Sequence, residues 1–352
     1  MSFLTVKNVA IRGISVSVPK EMEEEIDCPA FPSREEAMKF IQSTGIERHR
    51  IAPLGMTASD MGVIAAKKLL AELCWDVKSV DCLIFVTQTP DYILPFTASI
   101  IQDRIGLATD CYATDISAGC PGWVYGLGNI CSLIGKDRFR RGLLICGDTL
   151  SRTNSAKDKS SWPLFSDATS VTAVEYNESA KDMYFNFGTD GGGYKAIYIP
   201  EGGYRQPFNE RSLEYEQIAP GICKNRLHGI MDGMEVFSFA ISRAPKSVKK
   251  LAEHYGLDYM NTDYLLLHQA NEMINTTIAR KLKYSLERVP SSLKDFGNTS
   301  AASIPITIID KLQTEFSTKS LKIIASAFGV GLSWGSVYFE TSPMCCPGII
   351  EI

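Results

Sequence analysis

Val80-Asp81-Cys82-Leu83-Ile84-Phe85-Val86-Thr87-Gln88 and, far along the chain, Thr262-Asp263-Tyr264-Leu265-Leu266-Leu267-His268-Gln269 follow one pattern. A polar pair leads into a run that is apolar at every position, and a short polar exit ends it. Strands of that kind suit a sheet covered by helices on both faces. The likeness extends outward, because Arg141-Gly142-Leu143-Leu144-Ile145-Cys146-Gly147 has a counterpart in Leu321-Lys322-Ile323-Ile324-Ala325-Ser326-Ala327. A long helical pattern precedes each first strand, Met61 to Leu73 in one half and Val236 to Tyr255 in the other. A small-residue turn at Cys120 matches one at Asn298. One such pair is within chance for apolar strands, but three elements in register indicate a divergent duplication. Folded together, the halves bring equivalent strand ends around a pseudo-two-fold axis. We divide them as residues 1–182 and 183–352.

Read in order, Val6 to Ser17 is a strand, and Ser33 to Ser43 is a helix capped by Ser33 with Glu36 at N3. Thr57 to Leu73 carries Met61, Ile64, Ala65 and Leu69 on one helical stripe. Further elements are expected at Ser99 to Ile105, Val124 to Ile134, Ala168 to Tyr176 and Met183 to Phe187. Gly188 to Gly229 is rich in Gly, Pro and aromatic residues and has no period, so it reads as a flexible wall beside a cleft. Its Gly191-Gly192-Gly193 lacks the lysine and serine of a phosphate-binding loop.

The 352 residues carry a formal charge of −4, which argues against a broad nucleic-acid-binding face. No apolar run is long enough for a membrane span, and Met1 to Pro19 alternates where a signal peptide would be continuously apolar, so a cytoplasmic location is expected. The ten cysteines are scattered without a CxxC pair, and His49, His228 and His254 lack partners at ligand spacing, so neither a zinc site nor a disulfide framework is expected. Cys345 and Cys346 read as a surface tail.

Thr114-Asp115-Ile116-Ser117-Ala118-Gly119-Cys120-Pro121-Gly122-Trp123 places a thiol between a strand and a helix start, where unpaired amides and the helix dipole favour thiolate. Taken alone, with ten cysteines in the chain, Cys120 reads first as a small buried residue at a tight bend. Leu267-His268-Gln269-Ala270-Asn271 and Gly297-Asn298-Thr299-Ser300-Ala301-Ala302-Ser303 add an imidazole and an amide in comparable settings. Such a trio serves a cysteine hydrolase or a carbon–carbon bond-forming acyl transferase. In the second, Cys120 holds an acyl thioester while His268 and Asn298 stabilise an enolate, and the backbone amides of Cys120 and Val330 are candidates for a separate oxyanion hole.

These segments, with Thr44-Gly45-Ile46, Gly147-Asp148 followed by Arg152, Phe328-Gly329-Val330-Gly331 and Ser333-Trp334-Gly335-Ser336, resemble β-ketoacyl-acyl-carrier-protein synthase III in the thiolase superfamily, up to about Phe339. The resemblance implies an α/β thiolase-like, five-layered αβαβα fold and an obligate homodimer. It implies Cys120 as acyl acceptor, His268 and Asn298 as the enolate-stabilising pair and Phe328 beside the nucleophile. Leu94 would reach towards the partner's acyl pocket, Arg152 would contact substrate, and Arg280 and Lys281 would help dock an acyl carrier protein. No cofactor is implied beyond the substrates, acyl carrier protein or coenzyme A carrying the acyl group and malonyl carrier protein.

The departures are specific. Lys39 and Ser43 stand where relatives that use coenzyme A have a tryptophan and an arginine, Glu47 replaces an arginine, and Met273 replaces a docking arginine. Arg48 or Arg50 could substitute for the lost phosphate contact. Ser166-Asp167-Ala168-Thr169 replaces a glycine-rich strand start. The expected activity is decarboxylating condensation of an acyl thioester with malonyl carrier protein. Rival readings are acyl transfer to an alcohol or amine, and a catalytically idle dimer partner.

Overall fold

The computed structural model describes residues 1–352. The apolar runs form the centres of two sheets. The first has the order Ile350–Glu351, Val9–Val18, Ala168–Tyr176, Arg141–Asp148, Cys82–Val86, Tyr112–Ile116. The second has the order Ser2–Val6, Met183–Thr189, Ser333–Thr341, Leu321–Gly329, Tyr264–Leu267. Cys82–Val86 runs parallel to Arg141–Asp148, and Tyr264–Leu267 runs parallel to Leu321–Gly329, as the paired motifs require. In each sheet the next two neighbours are antiparallel.

Two helices fill the space between the sheets. Gly122–Leu133 packs on strands of both, and Ser303–Lys311 lies against Val9–Val18 and Ala168–Tyr176 on one side and Tyr264–Leu267 on the other. The outer layers are Ala58–Glu72 with Thr97–Ile105 on the first sheet, and Gly233–Tyr255 with Glu272–Leu282 on the second. The largest apolar cluster spans both sheets and the middle helices, while a smaller one lies under each outer layer. This is the duplicated αβαβα arrangement. No helix is long and apolar enough to cross a membrane.

The middle layer is tight at its entry. A Cβ on Gly122 would sit 2.6 Å from Val86 Cγ1 and 3.0 Å from Ala301 Cβ, so a side chain there would wedge the halves apart. The next residue, Trp123, is buried, donates from its indole nitrogen to Thr172 Oγ1 at 3.1 Å, and meets Phe339 edge-on.

Three expectations need correction. Val6 to Ser17 is not one strand: Asn8 turns the chain at φ 60°, so Ser2–Val6 pairs with Met183–Thr189 while Val9–Val18 joins the other sheet. Asn tolerates that left-handed conformation, and both segments alternate alike, so only their partners tell them apart. The cysteine tail is not a loose end. Cys345 O accepts from Ile14 N at 2.9 Å, Cys346 is buried, and Ile350–Glu351 pairs with Ser17 and Val18. The excursion after Gly188 is structured, being closed by Ile197–Tyr198 against Ile230–Met231 and containing the hairpin Glu216–Ala219 with Ile222–Lys224.

Thr172→Val keeps the shape of its side chain but leaves the Trp123 indole N–H buried without a partner, which costs about 1–3 kcal/mol. A urea titration should show a lower midpoint at an unchanged slope. An unmoved midpoint would show that this bond does not brace the middle layer.

Candidate active site

Local structure places Cys120 and His268 beyond strand ends and Asn298 just after the short helix Leu293–Phe296. Asp115 is the last residue but one of Tyr112–Ile116, and its carboxylate accepts the Thr97 and Ala98 amides at 2.7 Å each, which fixes this strand end against the start of Thr97–Ile105. Cys120 follows, two residues before Gly122–Leu133, and stays partly accessible. His268 and Asn298 are buried, His268 directly after Tyr264–Leu267 and Asn298 directly after Gly297.

Ser300 is where they meet. Its backbone is left-handed at φ 51°, a costly state for a residue with a side chain. Its amide donates to Asn298 Oδ1 at 3.0 Å, its carbonyl lies against the His268 ring, and its hydroxyl accepts from Gln88 Nε2 at 3.5 Å. The fourth wall comes from Leu321–Gly329. Phe328 meets the imidazole edge-on with centroids 5.6 Å apart, and the Val330 amide faces the Cys120 sulfur. A Cβ on Gly329, at φ 156°, would lie 2.9 Å from Cys120 Sγ, so glycine alone permits this approach.

The tautomer of His268 follows from its neighbours. Ser303 Oγ accepts the Gln269 amide at 3.3 Å and lies 2.8 Å from His268 Nδ1, and donation of its hydrogen to Nδ1 corresponds to the tautomer with the imidazole hydrogen on Nε2. Burial pushes the imidazole down to about 3, so it is a neutral donor and not an acid. Burial also pushes the Cys120 thiol up to about 12, against the lowering effect of the Val330 backbone and Ser300 hydroxyl. Burial thus opposes the thiolate expected at the helix start.

Asn298 is held through its backbone. Its N–H donates to Leu164 O at 2.9 Å, and its carbonyl accepts from Ser166 N at 3.0 Å. Ser166 Oγ in turn accepts the Arg50 amide at 2.6 Å, and the Asp167 carboxylate takes the amides of Ala52 and Ser151 at 2.8 and 2.9 Å. The Ser166-Asp167 departure thus supports the amide's position. Its clue in the sequence was only a broken glycine pattern.

Other expected residues lie apart from this pocket. Leu94 is 81% exposed on a loop with Tyr92, Ile93 and Phe96, and so does not line the pocket of its own chain. Arg152 binds the carbonyls of Ala52 and Pro53 at 2.8 and 2.7 Å, a loop clamp. Arg280 and Lys281 lie exposed in the last turn of Glu272–Leu282, with Lys281 Nζ donating to Ile241 O at 3.1 Å. Arg48 and Arg50 do not replace the missing phosphate contacts: Arg48 pairs with Glu24 and Asp295, and Arg50 is buried against Glu351 and Pro19. Lys39 pairs with Glu35 and Glu47 with Lys294. The wall from Gly188 is pinned to the segment after Arg152, with Lys224 against Asp158 at 2.6 Å and Cys223 N donating to Lys157 O at 3.0 Å.

Comparison with known proteins agrees with this fold. Residues 114–191 match the 3-oxoacyl-[acyl-carrier-protein] synthase III family, and residues 252–341 match its C-terminal part. The chain belongs to this family of condensing enzymes in the thiolase superfamily, whose chemistry is acyl transfer. A Campylobacter jejuni relative, provisionally named 3-oxoacyl-[acyl-carrier-protein] synthase 3, is 34% identical, with 97% of this chain and 96% of the relative covered. The beta-ketoacyl-[acyl-carrier-protein] synthase III of Streptococcus pneumoniae strain G54 is 33% identical over 84% of this chain and 87% of its own. The crystal structure of a 3-oxoacyl-(acyl-carrier protein) synthase from Burkholderia xenovorans superposes with a TM-score of 0.92 at 33% identity, covering 100% of this chain and 99% of the other.

The burial of His268 has a measurable consequence. On unfolding, its imidazole regains an ordinary value near 6.5, whereas in the fold it stays neutral to about 3. Between those values the unfolded state binds more protons, so this group's contribution to stability falls as pH falls. Relative to His268→Asn, the wild type should lose stability between about pH 6.5 and pH 4 with a slope approaching ~1.4 kcal/mol per pH unit. Paired urea titrations measure this, and a difference independent of pH would contradict a neutral buried imidazole.

Proposed function

We propose that the protein is a decarboxylating condensing enzyme that joins an acyl thioester to a malonyl thioester carried on acyl carrier protein. Cys120 takes the acyl chain as a thioester, with the oxyanion held by the backbone amides of Cys120 and Val330. The malonyl thioester then enters with its carbonyl between His268 Nε2 and the Asn298 carboxamide. Loss of carbon dioxide leaves an enolate, which those two donors stabilise because the pocket excludes water and no reorganisation is needed. The enolate carbon attacks the acyl-cysteine carbonyl, the carbon–sulfur bond breaks, and a β-ketoacyl product leaves on the carrier.

One observation carries this reading: the neighbours Phe328 and Gly329 meet the His268 ring and the Cys120 sulfur in turn, and Ser300 holds the Asn298 carboxamide on the turn that follows Gly297. A neutral imidazole paired with an amide suits enolate stabilisation better than water activation, which disfavours a hydrolase. The exposed Tyr92, Ile93, Leu94 and Phe96 loop supports a homodimer in which Leu94 approaches the partner's acyl pocket. Arg280 and Lys281 are assigned to carrier docking on their exposure and position.

Cys120→Ala should abolish the acyl adduct seen by intact-protein mass spectrometry while leaving the far-ultraviolet spectrum unchanged. His268→Ala and Asn298→Ala should retain the adduct and lower carbon dioxide release by about a hundredfold or more. Condensation by the Cys120→Ala variant would end this reading.

The donor should be carrier-bound. The positions that hold the nucleotide in relatives using coenzyme A are occupied by Lys39 and Ser43, and the nearby cations Arg48, Arg50 and Arg152 are tied to protein partners. Self-acylation should therefore be at least about tenfold slower from an acyl-coenzyme A than from the same chain on acyl carrier protein, since one lost charge-assisted phosphate contact is worth roughly that factor. Equal rates from the two donors would refute this preference.

A further inference from the structure

Outside the pocket, one cluster of ionisable groups is buried as deeply as the catalytic residues. His49 is 1% exposed and Glu25 is fully buried. The short strands Met22–Glu24 and Arg48–Arg50 pair antiparallel, with Glu23 opposite His49. His49 Nδ1 lies 2.6 Å from Glu25 Oε1, and His49 Nε2 lies 3.4 Å from Glu23 Oε2. Glu23 Oε2 also accepts from Trp162 Nε1 at 2.7 Å, and the Trp162 ring meets the imidazole edge-on. The condensation scheme gives this cluster no task.

The strand that carries His49 braces the turn that carries Asn298 at each of its three residues. Arg48 Nη1 pairs with Asp295 Oδ1 at 3.1 Å, in the short helix Leu293–Phe296. A Cβ on Gly297 would lie 3.7 Å from His49 Cβ, so His49 backs directly onto the residue before Asn298. The Arg50 guanidinium lies over the Phe296 ring, 5.4 Å from its centroid. Arg50 N donates to Ser166 Oγ at 2.6 Å, and the Ser166 amide holds the Asn298 carbonyl at 3.0 Å. Trp162 adds a second route, because it shares the turn Trp162–Leu164 with the carbonyl that accepts the Asn298 amide at 2.9 Å. Both backbone bonds of Asn298 therefore end on segments held by the His49 strand or by a carboxylate facing His49.

We propose that His49, sharing one proton with Glu25, is a positioning residue that sets the Asn298 carboxamide for decarboxylation. This rests on the reading of Asn298 as an enolate-stabilising donor. A neutral imidazole has one N–H and one lone pair. Both ring nitrogens face a carboxylate oxygen, so the cluster needs one proton beyond those of the neutral ring. With it, the ring bridges Glu25 and Glu23 and ties the hairpin to the Trp162 turn. Without it, a lone pair faces one carboxylate, that contact opens, and the segments under Asn298 lose their common anchor. His49 is the hydrogen-bond partner of the Glu25 carboxyl, whose Oε2 is buried without one. A buried pair of this kind is a poor source of stability, since apolar side chains of the same size would serve as well.

Burial pushes Glu25 up to about 7, while the hydrogen bond and charge of His49 act the other way. The pair therefore holds its shared proton below about pH 7 and loses it above. Glu23 faces the ring directly, and the remaining charges nearby have partners of their own. Glu24 pairs with Arg48, Glu47 with Lys294 and Arg50 with Glu351. On the helix Arg34–Thr44, which packs on Glu25–Asp27, Arg34 pairs with Asp27, Lys39 with Glu35 and Glu36 with Lys159. Cys28, three residues after Glu25, is pushed up to about 12 by burial and carries no charge.

The test uses the full-length protein with malonyl carrier protein, following carbon dioxide release from about pH 5 to pH 9. Formation of the acyl adduct on Cys120 is followed separately by intact-protein mass spectrometry, without the malonyl substrate. In the wild type, carbon dioxide release should fall about tenfold in a single step as pH rises through about 7, the scale on which a displaced donor slows a reaction, while adduct formation does not fall. Glu25→Gln removes the titrating group at nearly constant size. At pH 6 it should release carbon dioxide about tenfold more slowly than the wild type and without the step, with adduct formation kept within about threefold. Glu23→Gln alters a side chain that is 25% exposed and offers the ring an amide hydrogen in place of a charge. It should also remove the step, and it decides the matter if Glu25→Gln does not fold. A wild type without the step, or a folded variant that keeps it or slows both reactions alike, overturns the positioning role. A wild type that takes the adduct yet releases no carbon dioxide would instead bring down the enolate reading of Asn298.

Discussion

Exclusion of water from the junction between the two halves is the constraint on which the site depends. The two middle helices press the strand exits of both sheets together, and the small residues Gly122, Ala301 and Gly329 allow the backbones to close without a gap. Every titratable group caught there is displaced in the direction desolvation demands. The Cys120 thiol and the Asp148 carboxyl are pushed up, and the His268 imidazole is pushed down. All three changes disfavour charge at rest. A pocket of neutral groups suits a reaction whose charge is transient, since donors fixed beforehand need not reorganise when the charge develops.

Dryness also decides which forces count at the rim. Outside the pocket the cations expected to hold a nucleotide are used in architecture. Arg152 clamps the loop at Ala52 and Pro53, Arg50 ties the C-terminal edge strand to the strand before it, and Arg48 bridges Glu24 and Asp295. Exposed pairs such as Lys39 with Glu35 add little stability of their own. The architectural contacts hold the guanidinium groups of Arg48, Arg50 and Arg152 on protein partners.

Ser300 shows how one strained residue can link several functions. Its left-handed backbone aims the amide at Asn298 and the carbonyl at His268, while the hydroxyl meets Gln88. The cost of that conformation is met by the packing of Ala301, Ala302 and Ser303 as the middle helix begins, all of them buried.

Much of this was written in the sequence, for a definite reason. Strands buried on both faces must be apolar at every position, so Cys82–Val86 and Tyr264–Leu267 declared themselves, and so did the duplication that pairs them. The groups Cys120, His268, Asn298, Phe328 and Val330 were legible because they sit in small-residue turns beside such strands. What sequence could not carry was anything that depends on a distant partner. Ser2–Val6 and Val9–Val18 alternate alike, and only pairing assigns them to different sheets. The tail around Cys346 reads as a loose end until its edge contacts are seen. Ser300 and Ser166 are ordinary polar residues in one dimension; their meaning comes from the atom each one faces. The surroundings of the nucleophile were also undecided, because a helix start favours thiolate while burial opposes it, and only the packed pocket shows how far the thiol is buried.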